Sequence, residues 1–312
     1  MRIVVTGGSG FIGGEVVRRL LESAKDDVVV TSRSPEARGH ARGGVQFVQA
    51  FAGDAVSLGK AFTRAEVVVH AIQFPNHPVE DPSRGRTYRE VDGEGTLVAV
   101  RVAKALGVRR FVYLSGARAE QSRPQPWFRA KDRAEAAIRE SGMEHAILRP
   151  SWVYGPRDHS MNRFVNFCRF LPVVPVIGDG KTRVDPLYVE DAARCVAEAA
   201  RREDCKDKTF ELGGPERLSM DEIIRTIQSL LRGSRPAPLR LLERLIGQPL
   251  LHHPPKLMKL LALPMQLLPQ PMLSPGAIDF ILQEVEIDPR PAMEYFGFPF
   301  RPLREGLRQY LP

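Results

Sequence analysis

Cysteine, lysine-rich tracts and long apolar runs are all scarce in this 312-residue sequence. Its three cysteines are Cys168, Cys195 and Cys205, and no two of them have the C-x-x-C spacing. An odd, scattered set of cysteines argues against both a disulfide framework and a zinc site, and it is typical of a reducing compartment. We therefore predict no metal site and a cytoplasmic location.

Other absences narrow the class of protein further. No run of about 18 uncharged apolar residues occurs, so a transmembrane helix is not expected. The chain enters a β-branched run, Ile3–Val5, almost at once, which leaves no room for a signal peptide. The net charge of +8 comes mostly from arginine, but no dense basic tract with interleaved aromatics exists, so we expect no nucleic-acid partner. The charge is compatible with an arginine-rich solvated surface, an anionic cofactor or an acidic membrane.

Three regularly spaced glycines follow the first apolar run. Gly7, Gly10 and Gly13 come directly after Ile3–Val5, and residues 12–21 have the apolar spacing of one helix face. A strand that turns through glycines into a helix directs backbone N–H groups and the positive end of the helix dipole at one point. Gly7 allows the tight turn, Gly10 lets a phosphate approach the backbone, and Gly13 lets the helix pack closely. The motif predicts dinucleotide binding.

Two motifs carry a family resemblance. Thr6–Gly13 resembles the glycine loop of the extended short-chain dehydrogenase/reductase superfamily, which includes sugar-nucleotide epimerases and dehydratases. Residues 149–156, Arg-Pro-Ser-Trp-Val-Tyr-Gly-Pro, resemble that superfamily's Arg-Pro-x-x-Val-Tyr-Gly-Pro segment, whose backbone lies against the nicotinamide. Residues 178–183, 189–191 and 210–215 extend the resemblance to an atypical subgroup related to the dinucleotide-binding accessory subunit of mitochondrial complex I.

The resemblance covers roughly residues 1 to 230 and implies an α/β fold. That fold is a doubly wound parallel Rossmann sheet with a smaller, discontinuous C-terminal substrate lobe. We predict a dinucleotide-binding core of residues 1–153 and 181–211. The largely helical substrate or partner lobe is then 154–180 and 212–312.

The end of the second predicted strand, Val28–Thr31, bears on the choice of cofactor. NAD-preferring folds place an acid there for the ribose hydroxyls, whereas this chain has Ser32 and Arg33. A guanidinium can pair with the 2′-phosphate of NADP, so NADP(H) is favoured and NAD(H) is the alternative. An exposed loop arginine without such a role remains the simpler interpretation of Arg33.

Other candidate cofactor residues follow the remaining strands. Asp54 stands where members of the superfamily contact the adenine, but it could equally cap the helix that begins at Ala55. The backbone at Ala71 follows the fourth strand and is implied to pass the ribose and phosphates. The full predicted cofactor set is Gly7, Gly10, Phe11, Ile12, Gly13, Ser32, Arg33, Asp54, Ala55, Ala71, Lys131, Pro150 and Val153.

The resemblance implies a catalytic Ser or Thr after the fifth strand and a Tyr-x-x-x-Lys pair on the next helix. Lys131 matches the lysine, but Trp127 stands four residues before it, and an indole N–H is not a usable acid. Ser115 could supply the hydroxyl, although the register could equally place Gly116 or Ala117 there. Lys131 is implied to reach the nicotinamide ribose, the alternative being a solvated pair with Glu135.

Three explanations of Trp127 remain open: a packing residue, replacement of the acid by Tyr154 or His159, or an error of register. The candidate catalytic residues are therefore Ser115, Lys131 and Tyr154.

Two functions follow from these residues. The first is an NAD(P)H-dependent oxidoreductase or epimerase/dehydratase-like enzyme for a small carbonyl or hydroxyl compound. The second is a non-catalytic NADP(H)-bound scaffold, assembly factor or redox sensor on a membrane complex or lipid surface. Residues 236–265 have amphipathic leucine spacing flanked by basic residues, which predicts either a helical lobe or a peripheral membrane contact. A monomer and a homodimer are both compatible with the sequence.

Overall fold

The computed structural model describes residues 1–23, 25–34, 45–117, 125–266 and 273–312; the side chains of residues 242, 243 and 246 lie outside the description. The chain forms two compact units. The first unit comprises residues 1–150, 189–212 and 292–297, and the second comprises 151–188, 213–291 and 298–312.

Strands and helices alternate through the first 150 residues. The strands are β1 Arg2–Thr6, β2 Asp27–Ser32, β3 Gln46–Gln49, β4 Val67–His70, β5 Arg110–Leu114, β6 Glu144–Pro150, β7 Val153–Tyr154, β8 Val174–Ile177, β9 Arg183–Val184, β10 Leu187–Tyr188, β11 Lys208–Leu212, β12 Leu218–Ser219 and β13 Leu250–His253. The α-helices are α1 Phe11–Leu21, α2 Ala55–Phe62, α3 Gly95–Ala105, α4 Pro126–Glu140, α5 Ser160–Phe170, α6 Val189–Arg201, α7 Met220–Leu231, α8 Ala237–Ile246, α9 Pro255–Met265, α10 Pro275–Ile281, α11 Arg290–Phe296 and α12 Leu303–Arg308. Short 3₁₀ turns form at Pro82–Arg84 and Glu203–Cys205, and Tyr88–Glu94 is a π-helix.

The first unit is built on a seven-stranded parallel sheet in the order β11-β6-β5-β4-β1-β2-β3. Its central strands are nearly continuous runs of buried β-branched residues, because helices cover both faces of such a sheet. Helix α1 buries a single face of Gly13, Val16, Val17 and Leu20. The predicted doubly wound Rossmann sheet is therefore confirmed.

The strand order reverses between β1 and β4, which pair in register at Thr6 and His70. In open parallel sheets, ligands bind outside the carboxyl ends of the strands at this switch point. Thr6 Oγ1 lies 2.8 Å from His70 Nδ1 across it, so a buried hydrogen bond joins the two strand ends.

A late segment of the chain returns to the first unit. Tyr295 and Phe296, in helix α11, pack with ring centroids 4.9 and 5.0 Å from Phe210 on the edge strand β11. The guanidinium of Arg202 lies 4.9 Å from the Tyr295 ring centroid. Aromatic packing therefore assigns 292–297 to the sheet, whereas we predicted the whole of 212–312 in the C-terminal lobe.

The second unit contains three two-stranded ladders, β7 with β10, β8 with β13, and β9 with β12, together with helices. Helix α7 begins at a capping box in which Ser219 and Glu222 satisfy each other's backbone N–H groups. Residues 181–188, predicted in the dinucleotide core, belong to this unit because β9 and β10 pair only with its strands among the described residues. No helix in the described ranges has both the length and the apolar composition needed to cross a bilayer.

Candidate dinucleotide and catalytic site

The glycine loop joins β1 to α1 at the switch point. Gly7 has φ +70°, and a Cβ there would overlap the carbonyl of Ala71, which follows β4. A Cβ on Gly13 would overlap the backbone of Gly7, so helix and turn pack as closely as two backbones can. Gly10 is exposed and is the N-cap of α1, so the positive end of the helix is open to an anion. The loop fits a dinucleotide pyrophosphate.

Three other predicted cofactor residues of the first unit lie at the carboxyl ends of parallel strands of the sheet. Ser32 is the last residue of β2, with its hydroxyl accepting the Ser34 N–H at 3.3 Å. Arg33 is exposed, and its carbonyl accepts from Gln49 Nε2 at 3.0 Å. Pro150 ends β6, and its carbonyl accepts the Ala117 N–H at 3.1 Å. Because these strands are parallel, their carboxyl ends collect the residues at one edge of the sheet.

Asp54 caps helix α2. Its two carboxylate oxygens accept the N–H groups of Val56 and Ser57, each at 3.2 Å. The hydrogen bond from Ser57 holds the pKa of Asp54 below its usual range. The capping alternative is confirmed, and Ala55 is the first residue of the helix.

Lys131 is a buried residue of α4, and it pairs with Asp92, which the sequence analysis did not identify as a candidate. Its Nζ lies 3.2 Å from Oδ1 of Asp92, and the two side chains are 2% and 0% exposed. Burial alone would lower the pKa of Lys131, but the nearby Tyr113 and Asp92 outweigh burial and the pKa is raised. Asp92 also accepts the backbone N–H of Phe74 at 3.3 Å. A solvated pair between Lys131 and Glu135 was therefore the wrong alternative.

Glu135 instead organises a second buried cluster. Arg149 donates to both of its carboxylate oxygens, through Nε at 2.9 Å and Nη2 at 2.6 Å, and Arg139 Nη2 adds a third bond at 2.8 Å. Ser115 Oγ donates to Glu135 Oε1 at 2.6 Å. Burial raises the pKa of Glu135, and the bonds from Ser115 and Arg139 oppose that rise. The candidate catalytic hydroxyl of Ser115 thus donates its hydrogen bond to a buried carboxylate on helix α4.

Trp127 is a packing residue. A Cβ on Gly116, just after β5, would overlap the Trp127 ring, so the indole fills the space that a side chain at 116 would need. The ring centroid lies 5.4 Å from those of His77 and Tyr88, and Lys131 Nζ lies 5.2 Å from the indole. Position 116 therefore carries no hydroxyl and position 127 carries no phenol. The same close contact between Gly116 and the indole accounts for both.

A buried relay of polar groups runs beside this cluster. Thr96 Oγ1 donates to the carbonyl of Asp92 at 2.6 Å, so it accepts from His70 Nε2, 3.2 Å away. The neutral ring then accepts the Thr6 hydroxyl at Nδ1, 2.8 Å away. Burial, followed by the charge of Lys131, lowers the pKa of His70 to about 3. His70 is therefore neutral and structural at neutral pH.

Tyr154 and Val153 lie in the second unit. The Tyr154 side chain is fully buried, and its hydroxyl donates to the carbonyl of Leu303 at 3.3 Å. A Cβ on Gly306 would overlap that hydroxyl, so Tyr154 is enclosed by α12. This geometry argues against Tyr154 as a proton donor. Among the described residues, no three His, Cys, Asp or Glu side chains are grouped as around a metal ion.

Comparison with known proteins decides the family. A family model described as NAD(P)H-binding matches residues 7–165, and one described as the NAD-dependent epimerase/dehydratase family matches 128–213. The chain belongs to the NAD(P)-binding, epimerase/dehydratase-like short-chain dehydrogenase/reductase superfamily. The first match begins at Gly7 in the glycine loop, and the two matches together cover residues 7–213, which include every strand of the sheet except β1.

The proteins that this chain resembles include a mitochondrial NADH dehydrogenase subunit, a ceramide reductase and a quinone oxidoreductase. The chain is 29% identical over 244 residues to mouse NADH dehydrogenase [ubiquinone] 1 alpha subcomplex subunit 9, mitochondrial, covering 76% of this chain and 63% of that one. It is 28% identical over 194 residues to ceramide reductase of Caulobacter vibrioides, covering 61% and 58%. The chain spans 57 to 63% of the length of the mitochondrial relatives. The Escherichia coli NADPH-dependent quinone oxidoreductase, solved with NADPH, has the same fold: TM-score 0.69, 19% identity, 98% and 99% coverage.

Sequence reasoning did not identify Asp92, or the coupling of Gly116 to Trp127. Asp92 lies in the π-helix that precedes α3. An acid between the apolar Val91 and Gly93 was the available signal, and nothing in the sequence indicated that Lys131 would face it. The predicted Ser115 and Lys131 lie in the same unit, but each bonds to a different buried carboxylate.

Proposed function

We propose that this chain is an NADP(H)-dependent oxidoreductase whose substrate accepts a hydride without a proton from a protein side chain. The observation that carries the proposal is the packing of Trp127 against Gly116 in the unit that also contains the glycine loop. That arrangement retains nucleotide binding and removes the ordinary side-chain acid. The name of one relative, the ceramide reductase, supports the activity class.

Arg33 supports the choice of NADP(H). It is exposed directly after β2, with serines on both sides and no carboxylate among residues 32–34. A guanidinium there would pair bidentately with a 2′-phosphate, whereas NAD(H) offers only hydroxyls. NAD(H) remains the alternative cofactor.

The residues present determine which acceptors suit the site. When bound, the cofactor supplies the hydride. The Ser115 hydroxyl donates its hydrogen bond to the Glu135 carboxylate, and the Tyr154 hydroxyl donates its hydrogen bond to the Leu303 carbonyl. We therefore assign the source of the transferred proton to water or to the substrate itself. Reduction of a simple ketone forms a strongly basic alkoxide, which needs an acid nearby. A quinone or enone forms a conjugated, weakly basic oxyanion, which water can protonate. We therefore propose a conjugated carbonyl substrate.

Lys131 has an electrostatic role in this proposal. Its ammonium is buried, paired with Asp92 and raised in pKa, so it stays charged. A fixed positive charge beside the nicotinamide ribose would hold the ribose hydroxyls in place and favour negative charge developing on the acceptor. In the superfamily's Tyr-x-x-x-Lys pair, the lysine lowers the pKa of the tyrosine. Lys131 cannot have that role here, because position 127 is a tryptophan.

Binding and turnover test the proposal together. NADPH and NADH are titrated into the wild type, Arg33→Ala and the exposed control Arg101→Ala, and NADPH oxidation is followed with quinones, enones and simple ketones. We expect Arg33→Ala to weaken NADPH binding about 10- to 100-fold and leave NADH binding unchanged. Turnover is expected with quinones or enones only. Equal loss of both nucleotides, or turnover confined to simple ketones, would contradict the proposal.

A second candidate is the non-catalytic scaffold or redox sensor bound to NADP(H) on a membrane complex. The complete burial of Lys131 and Asp92 favours it, since that pair resembles a structural ion pair more than an open catalytic group. The names of the mitochondrial relatives favour it as well. Tight NADPH binding with no turnover of any acceptor is the result that would select it.

We also propose a cytoplasmic location for this chain, which its three buried free cysteines support.

A further inference from the structure

The second unit exposes many leucines in one stretch of chain. Among the described residues, eight of the thirteen large apolar side chains that are strongly exposed lie between 241 and 265. These eight side chains, which we name the leucine surface, are Leu241, Leu245, Leu251, Leu257, Leu260, Leu261, Leu263 and Met265. Scattered exposed leucines need no explanation, but a concentration of this kind marks an interaction surface.

Helical spacing puts these side chains on defined faces. Leu241 and Leu245 are one turn apart on α8 and are 62% and 75% exposed. Leu257, Leu260 and Leu261 share one face of α9 by their i, i+3 and i+4 spacing. The opposite side of α9 carries Ala262, which is fully buried, so the helix has an inner and an outer face.

The outward faces belong to anchored elements. Arg235 Nη2 and Gln248 Nε2, which flank α8 on its two sides, both donate to the carbonyl of Leu171, at 2.8 and 2.7 Å. Phe170, the residue before this anchor, is itself 57% exposed. The next strand, β13, pairs with β8, and Lys259 of α9 forms an ion pair with Asp279. The leucines therefore face outward from a fixed base.

The charge of the stretch that carries the leucines is mostly positive. Residues 236–265 contain four basic residues of the Lys/Arg type and one acid, Glu243. Arg240 and Arg244 are exposed one turn apart on α8, next to Leu241 and Leu245, and Lys256 is exposed at the start of α9. Short helices with apolar outer faces and basic flanks bind the interface of membranes that contain anionic lipids.

A second copy of this chain fits the same surface less well. A two-fold interface places each patch against itself, so the exposed Arg240 and Arg244 would approach positive charges of their own kind. We propose that residues 236–265 dock the second unit on an anionic lipid surface, with the leucine surface in the acyl boundary and the arginines at the headgroups. This proposal does not depend on the proposed enzymatic activity.

Vesicle flotation of the full chain tests the apolar part. The vesicles are phosphatidylcholine alone or phosphatidylcholine mixed with phosphatidylglycerol. We expect the wild type to float with the mixed vesicles only, and Leu241→Ser/Leu245→Ser to bind them about tenfold or more weakly. Val56→Ser/Leu106→Ser, which changes two exposed apolar residues of the first unit, should bind as the wild type does. Far-ultraviolet circular dichroism establishes that each variant is folded.

A charge-reversal pair tests the electrostatic part. Arg240→Glu/Arg244→Glu and the control Arg101→Glu/Lys104→Glu each lower the net charge from +8 to +4, and all four side chains are exposed. We expect about tenfold or more weaker vesicle binding for the first pair and little change for the second, with wild-type binding falling as salt rises.

Other results would overturn the proposal. Failure of the wild type to float with mixed vesicles, or equal flotation with neutral vesicles, would contradict an anionic lipid surface. Equal losses for the two charge-reversal pairs would reduce the effect to net charge. A wild-type dimer in sedimentation velocity that dissociates in Leu241→Ser/Leu245→Ser, without vesicle binding, would assign the leucine surface to a second copy.

Discussion

At the scale of single residues, the centre of the first unit depends on which cation meets which buried carboxylate. Lys131 and Glu135 are one turn apart on α4, yet Lys131 pairs with Asp92 while Glu135 binds Arg149 and Arg139. A buried charge without a partner costs several kcal/mol, so each carboxylate has its own cation. The pairing keeps Lys131 charged, and the Ser115 hydroxyl donates its hydrogen bond to the buried Glu135.

The buried His70 predicts a pH dependence of stability. Unfolded His70 takes up a proton below its ordinary pKa of 6.5, whereas the folded residue stays neutral down to about pH 3. Within that window the unfolded state binds one more proton, so the free energy of unfolding falls as the pH falls, by about 1.4 kcal/mol per unit. In His70→Gln, whose amide can still donate to Thr96, urea unfolding between pH 7 and pH 5 should show a slope smaller by about one proton.

One result would contradict this expected difference in slope. If His70→Gln and the wild type lose stability equally over this range, His70 is protonated in the folded state. The neutral hydrogen-bonded relay from Thr6 to Asp92 would then be wrong.

The contact between Gly116 and Trp127 predicts coupled effects on stability. Gly116→Ala adds a Cβ that overlaps the indole, which His77 and Tyr88 hold in place, so we expect a loss of about 1–3 kcal/mol. The same change in a Trp127→Phe background should cost less, with a coupling energy of about 0.5–3 kcal/mol. Urea unfolding of the four proteins measures it. Additive losses would show that the two residues do not share this space.

At the scale of elements, two segments depart from the regular alternation of strands and helices. The π-helix Tyr88–Glu94 precedes α3 and carries Asp92 toward Lys131; such segments are frequent at functional sites. Helix α11 supplies Tyr295 and Phe296 to the edge strand β11, which would otherwise present Phe210 to water. Helix α11 thus completes the sheet unit from outside its βα repeats, whereas the π-helix is part of the β4–α3 repeat.

The second of these elements predicts a large effect of one truncation. Phe296 is 6% exposed and packs on Phe210, so Phe296→Ala should lower the free energy of unfolding by about 3–5 kcal/mol. The exposed aromatic Phe170, changed to alanine, should alter it by less than about 0.5 kcal/mol. Chemical denaturation compares the two variants. Similar small losses would mean that 292–297 contributes little to the sheet unit.

At the scale of the whole molecule, cofactor binding should be visible as added stability. A ligand that binds only the folded state at a free concentration of 100 times its Kd adds about 2.7 kcal/mol. If Arg33 recognises the 2′-phosphate, NADPH should raise the thermal unfolding midpoint more than NADH does at equal concentration. The difference should disappear in Arg33→Ala and persist in Arg101→Ala. Equal shifts by both nucleotides in the wild type would contradict the preference for NADP(H).

Some properties of this protein follow from the sequence alone. The glycine spacing at 7, 10 and 13 and the β-branched runs specified a dinucleotide loop and a buried parallel sheet, because backbone conformation and burial are local and periodic. The resemblance to the superfamily's Tyr-x-x-x-Lys pair identified the absence of an acid at Trp127. It could not decide whether Asp54 met a cofactor or a helix end, because both uses require the same residue type at the same place.

Tertiary structure alone decided the pairing of buried charges and the limits of the two units. Asp92 and Lys131 are 39 positions apart, and Glu135 and Arg149 come from different elements, so no spacing rule relates them. Segment 292–297 joined the first unit through aromatic contacts with β11, more than 80 residues earlier in the chain. Periodicity shows which face of an element is apolar, but it does not show which distant face will cover it. Long-range partners are selected by packing and by the cost of leaving a buried charge unpaired.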